Sequence, residues 1–236
     1  MRSLAAAAVF LALSYQVSGI SDQQPSSAQT YPPPFPRPNA TKLLETDRLV
    51  VWDIVWPKGQ PTALHRHVND QVGTYYQAGG RVITSPDGTA RPSTTPVGNL
   101  STTKKGTLHI EEGTTDPPLR AVFVEMKMDT PSGLPDTPSD IAPVFPREGA
   151  KQLHDDERVT VWDYSWTPGA KEIARRYPRD AVIVWMGSGK MRSTRKGGAP
   201  ARIDTVAGKM QYMTRGTVLT EAAVEGTPRA FVFEFK

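Results

Sequence analysis

The sequence contains no cysteine, only four histidines, and a net charge of only +4 over 236 residues. The absence of cysteine excludes a disulfide framework, a thiolate-ligated metal cluster and a thiol nucleophile. The charge excess is too small to indicate nucleic-acid binding. Any metal or acid–base chemistry must therefore draw on few candidate residues.

The N-terminus has the three parts of a secretory signal peptide. Arg2 precedes an apolar run from Leu4 to Leu13, and small residues follow at positions 17–19. The run is about half as long as a membrane-spanning helix requires. We therefore expect residues 1–19 to be removed, leaving a secreted or periplasmic protein without a membrane span. An uncleaved N-terminal anchor is the alternative.

Two proline-rich stretches divide the rest of the chain. Residues 20–40 are rich in proline, serine and glutamine, which predicts an extended tether. Residues 130–150 contain five prolines and predict a linker, because proline fits neither a helix interior nor a central strand. The predicted domains are residues 41–129 and residues 151–236.

Each predicted domain contains one copy of a repeat. Residues 43–59 read LLETDRLVVWDIVWPKG and residues 153–169 read LHDDERVTVWDYSWTPG, with 7 of 17 positions identical at an offset of 110. Glycines at positions 98 and 106 recur at 208 and 216. A constant offset over so many positions indicates two copies of one structural unit.

The repeat has the pattern of β-strands. Short runs rich in Val, Ile and Trp, such as Arg48 to Trp56, alternate with clusters of Gly, Pro, Asp and Ser. We predict an all-β protein of two jelly-roll barrels, packed together because one unit of this size buries little core. The tryptophans at 52 and 56 recur at 162 and 166, so we assign them to packing.

Three of the four histidines have the spacing of metal ligands. His65 and His67 stand at i and i+2, which places both side chains on one face of a strand, and Gln71 has the same parity. His109 lies in the second half of the unit. Two histidines from one strand and a third from another can form one face of a metal site. Alternatively, His65 and His67 are two partly exposed histidines without a ligand.

The first of these motifs resembles that of the cupin family. The family has Gly, five residues, His-x-His, three or four residues, Glu, and then another Gly. The positions that match in this chain are Gly59, His65, His67, Gln71 and Gly79. Glutamine thus replaces the acidic ligand of the family.

The second cupin motif is matched in spacing and in its histidine. The family has Gly, five residues, Pro-x-Gly, two residues, His, three residues and Asn. The corresponding residues are Gly98, Lys104, Gly106, His109 and Gly113. The resemblance implies two tandem cupin barrels joined by the proline-rich linker.

The resemblance also implies a metal site at His65, His67, His109 and Gln71. A neutral amide leaves a divalent ion with its full charge, which favours an anionic or enolate-like ligand. Because the manganese-dependent oxalate enzymes of the family use the acidic ligand, that activity is less expected here. Three-histidine cupins include ferrous dioxygenases, so iron is favoured, with manganese, nickel, copper and zinc as alternatives.

The second unit has lost the ligand residues. At the offset of 110, the four ligand positions hold Arg175, Tyr177, Ala181 and Leu219. We therefore expect a metal-free C-terminal barrel. Arg175 and Tyr177 either belong to a solvated basic surface or bind an anion in the emptied pocket. Tyr75, after the first motif, is either a core residue or a substrate-binding one.

The residues predict a secreted bicupin with one divalent transition metal in the N-terminal barrel. We expect a dioxygenase-like oxidoreductase that acts on a small anionic or enolisable molecule. No general base is evident beside the ligands, so a non-catalytic protein that binds a small molecule or a carbohydrate acid is an alternative. A structural envelope protein with a vestigial site is another.

Overall fold

The computed structural model describes residues 30–128 and 139–236, which form 18 β-strands and no helix. The prediction of an all-β fold is confirmed. The predicted signal peptide, residues 20–29 of the tether and the first part of the linker lie outside the described residues. Among the described residues, no helix is long and apolar enough to span a bilayer.

The first nine strands form the N-terminal barrel from two antiparallel sheets. One sheet has the order β1-β2-β9-β4-β7 and the other β3-β8-β5-β6. The strands are β1 (Ala40–Glu45), β2 (Leu49–Trp56), β3 (His65–Arg66), β4 (Asp70–Gln77), β5 (Gly79–Thr84), β6 (Ala90–Thr95), β7 (Leu100–Thr103), β8 (Leu108–Gly113) and β9 (Leu119–Met126).

The last nine strands repeat this topology. Their sheets have the orders β10-β11-β18-β13-β16 and β12-β17-β14-β15, which match the first barrel strand for strand. The strands are β10 (Lys151–Asp155), β11 (Val159–Ser165), β12 (Arg175–Arg176), β13 (Asp180–Trp185), β14 (Gly189–Arg195), β15 (Pro200–Thr205), β16 (Met210–Met213), β17 (Val218–Glu225) and β18 (Arg229–Phe235).

Both faces of the central strands of each five-stranded sheet are buried. Along β2, Val50, Trp52 and Ile54 pack inside the first barrel, whereas Leu49 and Val51 face a core shared by the two barrels. Alternate side chains of β4 and β9 also face this shared core. In the second barrel, β11, β13 and β18, which correspond to β2, β4 and β9, complete it. The apolar runs in these strands are therefore longer than a half-exposed strand would need.

Reciprocal ion pairs border the shared core. Arg158 of the second barrel lies 3.1 Å from Asp70 of the first, and Arg48 of the first lies 3.6 Å from Asp180 of the second. Both the two arginines and the two aspartates are related by the offset of 110. The two barrels thus use the same positions against each other, as subunits do in a symmetric dimer.

The barrels begin earlier than the proline content predicts. Phe35 stacks on Trp52 with ring centroids 4.6 Å apart, and Phe145 stacks on Trp162 at 5.3 Å. Both phenylalanines are buried, and both stand in a Phe-Pro-Arg sequence repeated at the offset of 110. The ends of the predicted tether and linker therefore belong to the barrels. The proline content of the tether and of the linker gave no indication that each contains one buried aromatic residue.

Replacing Phe35 with alanine tests whether this segment is part of the fold. The free energy of unfolding should fall by about 3 kcal/mol, because a buried aromatic ring leaves a cavity against Trp52. Urea unfolding of the purified protein measures the change. The matched control is Leu43→Ala, since Leu43 is 39% exposed. Equal stability of the two variants would mean that the segment is only loosely attached.

Candidate metal centre

Strand pairing brings the three histidines together. His65 on β3 lies opposite His109 on β8, and the backbone N–H of His67 donates to the carbonyl of Thr107. One ring nitrogen from each histidine lies within 4.8 Å of the others, and all three side chains are buried. Among the described residues, these histidines are a group that could hold a metal ion, as their spacing predicts.

The separation between two of the rings fits a shared ion. His67 Nε2 and His109 Nε2 are 3.1 Å apart. Two nitrogens that each lie about 2.1 Å from one ion are about 3.0 Å apart at a right angle and about 3.4 Å apart at the tetrahedral angle. The observed distance falls between these two values.

A backbone carbonyl orients the ring of the third histidine. The Nδ1 of His65 lies 2.9 Å from the carbonyl oxygen of Ala63, so Nδ1–H donates and Nε2 carries the lone pair. Nε2 of His65 is buried and has no hydrogen-bond partner. A buried nitrogen without a partner, beside two other imidazoles, fits a metal ligand better than a satisfied core histidine.

All three imidazoles are neutral at pH 7. Burial, followed by the neighbouring His109 and His65, lowers the pKa of His67 to about 4. Burial also lowers the pKa of His109 to about 4, although Glu111 opposes the shift. The pKa of His65 is lowered mainly by burial. No proton has to leave before these rings bind a metal at neutral pH.

Gln71 shares the cavity of the histidines. It lies on β4, is buried, and lines the same cavity as His67 and His109. Its amide nitrogen has no hydrogen-bond partner. A half-turn of the amide would present its oxygen instead, so Gln71 can offer a neutral ligand atom or a hydrogen bond to a bound molecule.

A buried carboxylate lies behind the histidines. Glu111 accepts hydrogen bonds from Arg81 (2.6 Å), Trp56 (3.0 Å) and Arg37 (3.2 Å), and its Oε1 lies 3.9 Å from Nε2 of His109. Burial alone would raise the pKa of Glu111, but Arg81 and Arg37 outweigh it and lower the pKa to about 2. Glu111 is therefore a fixed negative charge and a poor proton acceptor.

This carboxylate and its two arginines were not predicted from the sequence. The repeat carried a signal for part of the set, since Arg37 and Glu111 recur as Arg147 and Glu221 at the offset of 110. Arg147 lies 3.7 Å from Glu221, and Trp166 donates to the same carboxylate. Because the arginine–glutamate pair is present in both barrels, we assign it a structural role.

His67 and His109 face a cavity of about 400 Å³, which His65 does not line. Phe35, Ile54, Trp56 and Phe123 supply apolar wall, while arginine, lysine, serine and threonine side chains supply polar wall. Tyr75 does not line this cavity. It is 1% exposed within the barrel core, so the core alternative holds.

In the described part of the second barrel, large side chains occupy positions equivalent to those that line the cavity of the first. Arg175 lies opposite Leu219, in the same register as His65 opposite His109. The buried core here contains Tyr177, Trp185, Met191, Met213 and Leu219. Large apolar groups thus replace several of the polar residues of the first barrel.

Arg175 and Tyr177 do not share an anion pocket. Arg175 donates to the carbonyl of Pro143 and lines a cavity of about 340 Å³ with Leu219, of which Tyr177 is not part. Tyr177 is fully buried. Of the two alternatives for Arg175 and Tyr177, the shared anion pocket does not match this arrangement, because large side chains occupy the barrel interior around Tyr177.

Comparisons with known proteins agree with this architecture. No protein-family model and no curated protein matches the sequence. Similar solved structures include a cupin 2 conserved barrel domain protein from Leptotrichia buccalis, with 13% identity over 84% of this chain and 88% of that chain, and a TM-score of 0.56. The chain is therefore an all-β protein of two tandem jelly-roll barrels.

Two oxalate decarboxylases have the same arrangement. A formate complex of the Lactobacillus farciminis enzyme matches with 15% identity over 81% of this chain and 77% of that chain, at a TM-score of 0.53. The Bacillus subtilis enzyme, described with Mn(II) centres, matches with 13% identity over 80% and 69%, at a TM-score of 0.51. Each of the two barrels therefore has the cupin fold. Identities this low establish the fold alone.

The lowered pKa values of the buried histidines predict acid sensitivity of the metal-free protein. An unfolded histidine has a pKa of about 6.5, so folding is favoured above that pH and weakened as the pH falls towards 4. The lowered pKa of His67 alone should reduce the free energy of unfolding by about 2 kcal/mol between pH 7 and pH 4.5. Urea unfolding of EDTA-treated protein at both values measures the loss.

Two variants identify the source of this effect. His67→Gln should reduce the loss between the two pH values more than His154→Gln does, because His154 lies on β10, outside the buried cluster. An identical pH dependence in His67→Gln and the unchanged protein would contradict the assignment.

Proposed function

We propose that the first barrel binds one divalent transition metal through His65, His67 and His109, with Gln71 beside it. The protein then acts as a dioxygenase-like oxidoreductase on a small molecule bound in the adjoining cavity. The 3.1 Å separation of the His67 and His109 nitrogens is the observation that carries this proposal. We also propose export of the protein, which rests on the first 19 residues of the sequence.

The donor set favours iron among the candidate metals. Three neutral imidazoles suit iron, nickel, copper and zinc, whereas manganese prefers oxygen ligands. When bound, such an ion supplies Lewis acidity and, in the case of iron, redox chemistry with O₂. Manganese remains the alternative, because the Bacillus subtilis oxalate decarboxylase is described with Mn(II) centres.

The residues around the histidines have roles of their own. The carbonyl of Ala63 fixes the tautomer of His65, and Glu111 places a negative charge 3.9 Å from Nε2 of His109. Apolar walls that include Trp56 and Phe123 restrict the water that reaches a bound molecule. A bound substrate would thus be oriented by these walls.

The state of Glu111 favours a second candidate function. This carboxylate is held by two arginines and has a pKa of about 2, so it does not serve as a general base. A site without a general base suits ligand binding, or a reaction in which the metal does the chemistry. A binding protein for small anions is therefore the second candidate, and oxygen consumption separates the two.

The metal content of purified protein tests the first step of the proposal. Protein prepared without a chelating tag should contain close to one transition-metal ion per chain by elemental analysis. His67→Ala should lose nearly all of it, because an ion bound by two imidazoles is held far more weakly than one bound by three. His154→Ala is the matched control and should keep the metal. Equal metal in both variants would contradict the assignment of the ligands.

Oxygen uptake tests the second step. Iron-loaded protein should consume O₂ with at least one member of a panel of diketones, phenolics and thiols, and His67→Ala should abolish the consumption. Uptake that survives in His67→Ala would place the reaction elsewhere. Metal binding without uptake for any member would support the binding protein instead.

A further inference from the structure

The cavity of the first barrel carries an excess of positive charge. Arg81, Arg91 and Lys104 line it, and Glu111 is the carboxylate among its described lining residues. That carboxylate already accepts from Arg81 and from Arg37, which lies outside the cavity. Lys104 lies 3.5 Å from Asp70, which is outside the lining, and Arg91 donates to the neutral hydroxyl of Ser85, so the wall keeps a net positive charge. Such a wall attracts anions.

The cations lie at two depths. The Arg81 side chain is 10% exposed and is fixed by Glu111 and by the hydroxyl of Tyr75, 2.8 Å away. Its Nε–H has no hydrogen-bond partner. The Lys104 side chain is 76% exposed, and the exposed Arg91 donates to the neutral hydroxyl of Ser85. One cation therefore lies inside the cavity and two lie at its mouth.

The second barrel shows that the fold does not require an arginine at this depth. The position equivalent to Arg81 is Met191, which is 1% exposed and packs in the core. Glu221 remains buried there with Arg147 as its cationic partner. Arg81 thus occurs in the barrel that has the histidines and the cavity, which points to a role towards a bound molecule.

We propose that this cavity binds a dicarboxylate longer than oxalate. Arg81 holds one carboxylate near the histidines, while Arg91 and Lys104 attract the other at the mouth. Guanidinium groups are suited to carboxylates because their N–H groups match the two oxygens. A volume of about 400 Å³ lies in the range of sites for ligands well above two carbons. This inference rests on the proposed function, since a bound divalent ion would add to the same positive potential.

Calorimetric titration of zinc-loaded protein tests the ligand class, because zinc binds imidazole and has no redox chemistry. The probes are succinate, oxalate and the uncharged succinamide. Succinate should bind at least about tenfold more tightly than succinamide, because a charged hydrogen-bonded group contributes more than a neutral one. Oxalate should bind more weakly than succinate, since it cannot reach both depths. Equal binding of succinate and succinamide would overturn the inference.

Three substitutions locate the contacts. Arg81→Met introduces the side chain that the second barrel already accommodates, and it should raise the dissociation constant of succinate by about tenfold or more. Arg91→Ala and Lys104→Ala should each raise it by about threefold and weaken its salt dependence, because these cations are exposed. Arg202→Ala removes an exposed cation of the second barrel and should have no effect.

Metal content of the same samples separates the two proposals. If the protein retains zinc while Arg81→Met binds succinate normally, the inference fails and the proposed metal site stands. If the unchanged protein binds no metal, the proposed function fails and this inference fails with it. Arg81→Met should retain zinc and a cooperative urea transition, although at a lower urea concentration because Glu111 loses one of its two arginine partners. Retained zinc and cooperative unfolding exclude misfolding as the cause of lost succinate binding.

Discussion

The structure depends on the burial of both faces of its two five-stranded sheets. One face of each sheet closes its own barrel, and the other packs on the equivalent face of the second barrel. A single unit of about 90 residues leaves a large share of its apolar surface in contact with water. Burying the outer faces against each other removes this surface, and the Arg48–Asp180 and Arg158–Asp70 pairs border the contact. The repeat therefore stabilises the protein as a pair.

This pairing explains how the two barrels can differ inside. The shared core and the reciprocal ion pairs are built from positions that both barrels keep, and they do not involve the histidines. Inside, the second barrel holds Tyr177, Met191 and Leu219 where the first holds His67, Arg81 and His109. A ligand cavity contributes little to stability, because its polar wall must be held by hydrogen bonds instead of close packing. One barrel can therefore serve the ligand while the other supplies a densely packed partner.

The sequence predicts the parts of this structure that leave a periodic or repeated signal. Alternation in β2 and β11 gives the all-β class, the offset of 110 gives the second barrel, and the spacing of His65, His67 and His109 gives the cluster. Composition misleads where a single anchoring residue outweighs its surroundings, as Phe35 and Phe145 do among prolines. Residues that meet only through the fold, such as Arg81 and Glu111, are 30 positions apart and share no motif. The filled interior of the second barrel could not be predicted from the sequence either, because it depends on the sizes of side chains from four different strands.

The charge around the cavity connects the missing acidic ligand to the arginine network. A carboxylate at position 71 would offset part of the charge of a bound ion, whereas Gln71 offsets none. Glu111 does not make up the difference, because its charge is already shared between Arg81 and Arg37. An ion bound by the three histidines would therefore add its charge to a cavity that is already positive, and the low pKa values of the imidazoles keep the rings themselves from adding to it. The same glutamine that weakens the likeness to oxalate-processing cupins thus strengthens the case for a ligand that brings more than one negative charge.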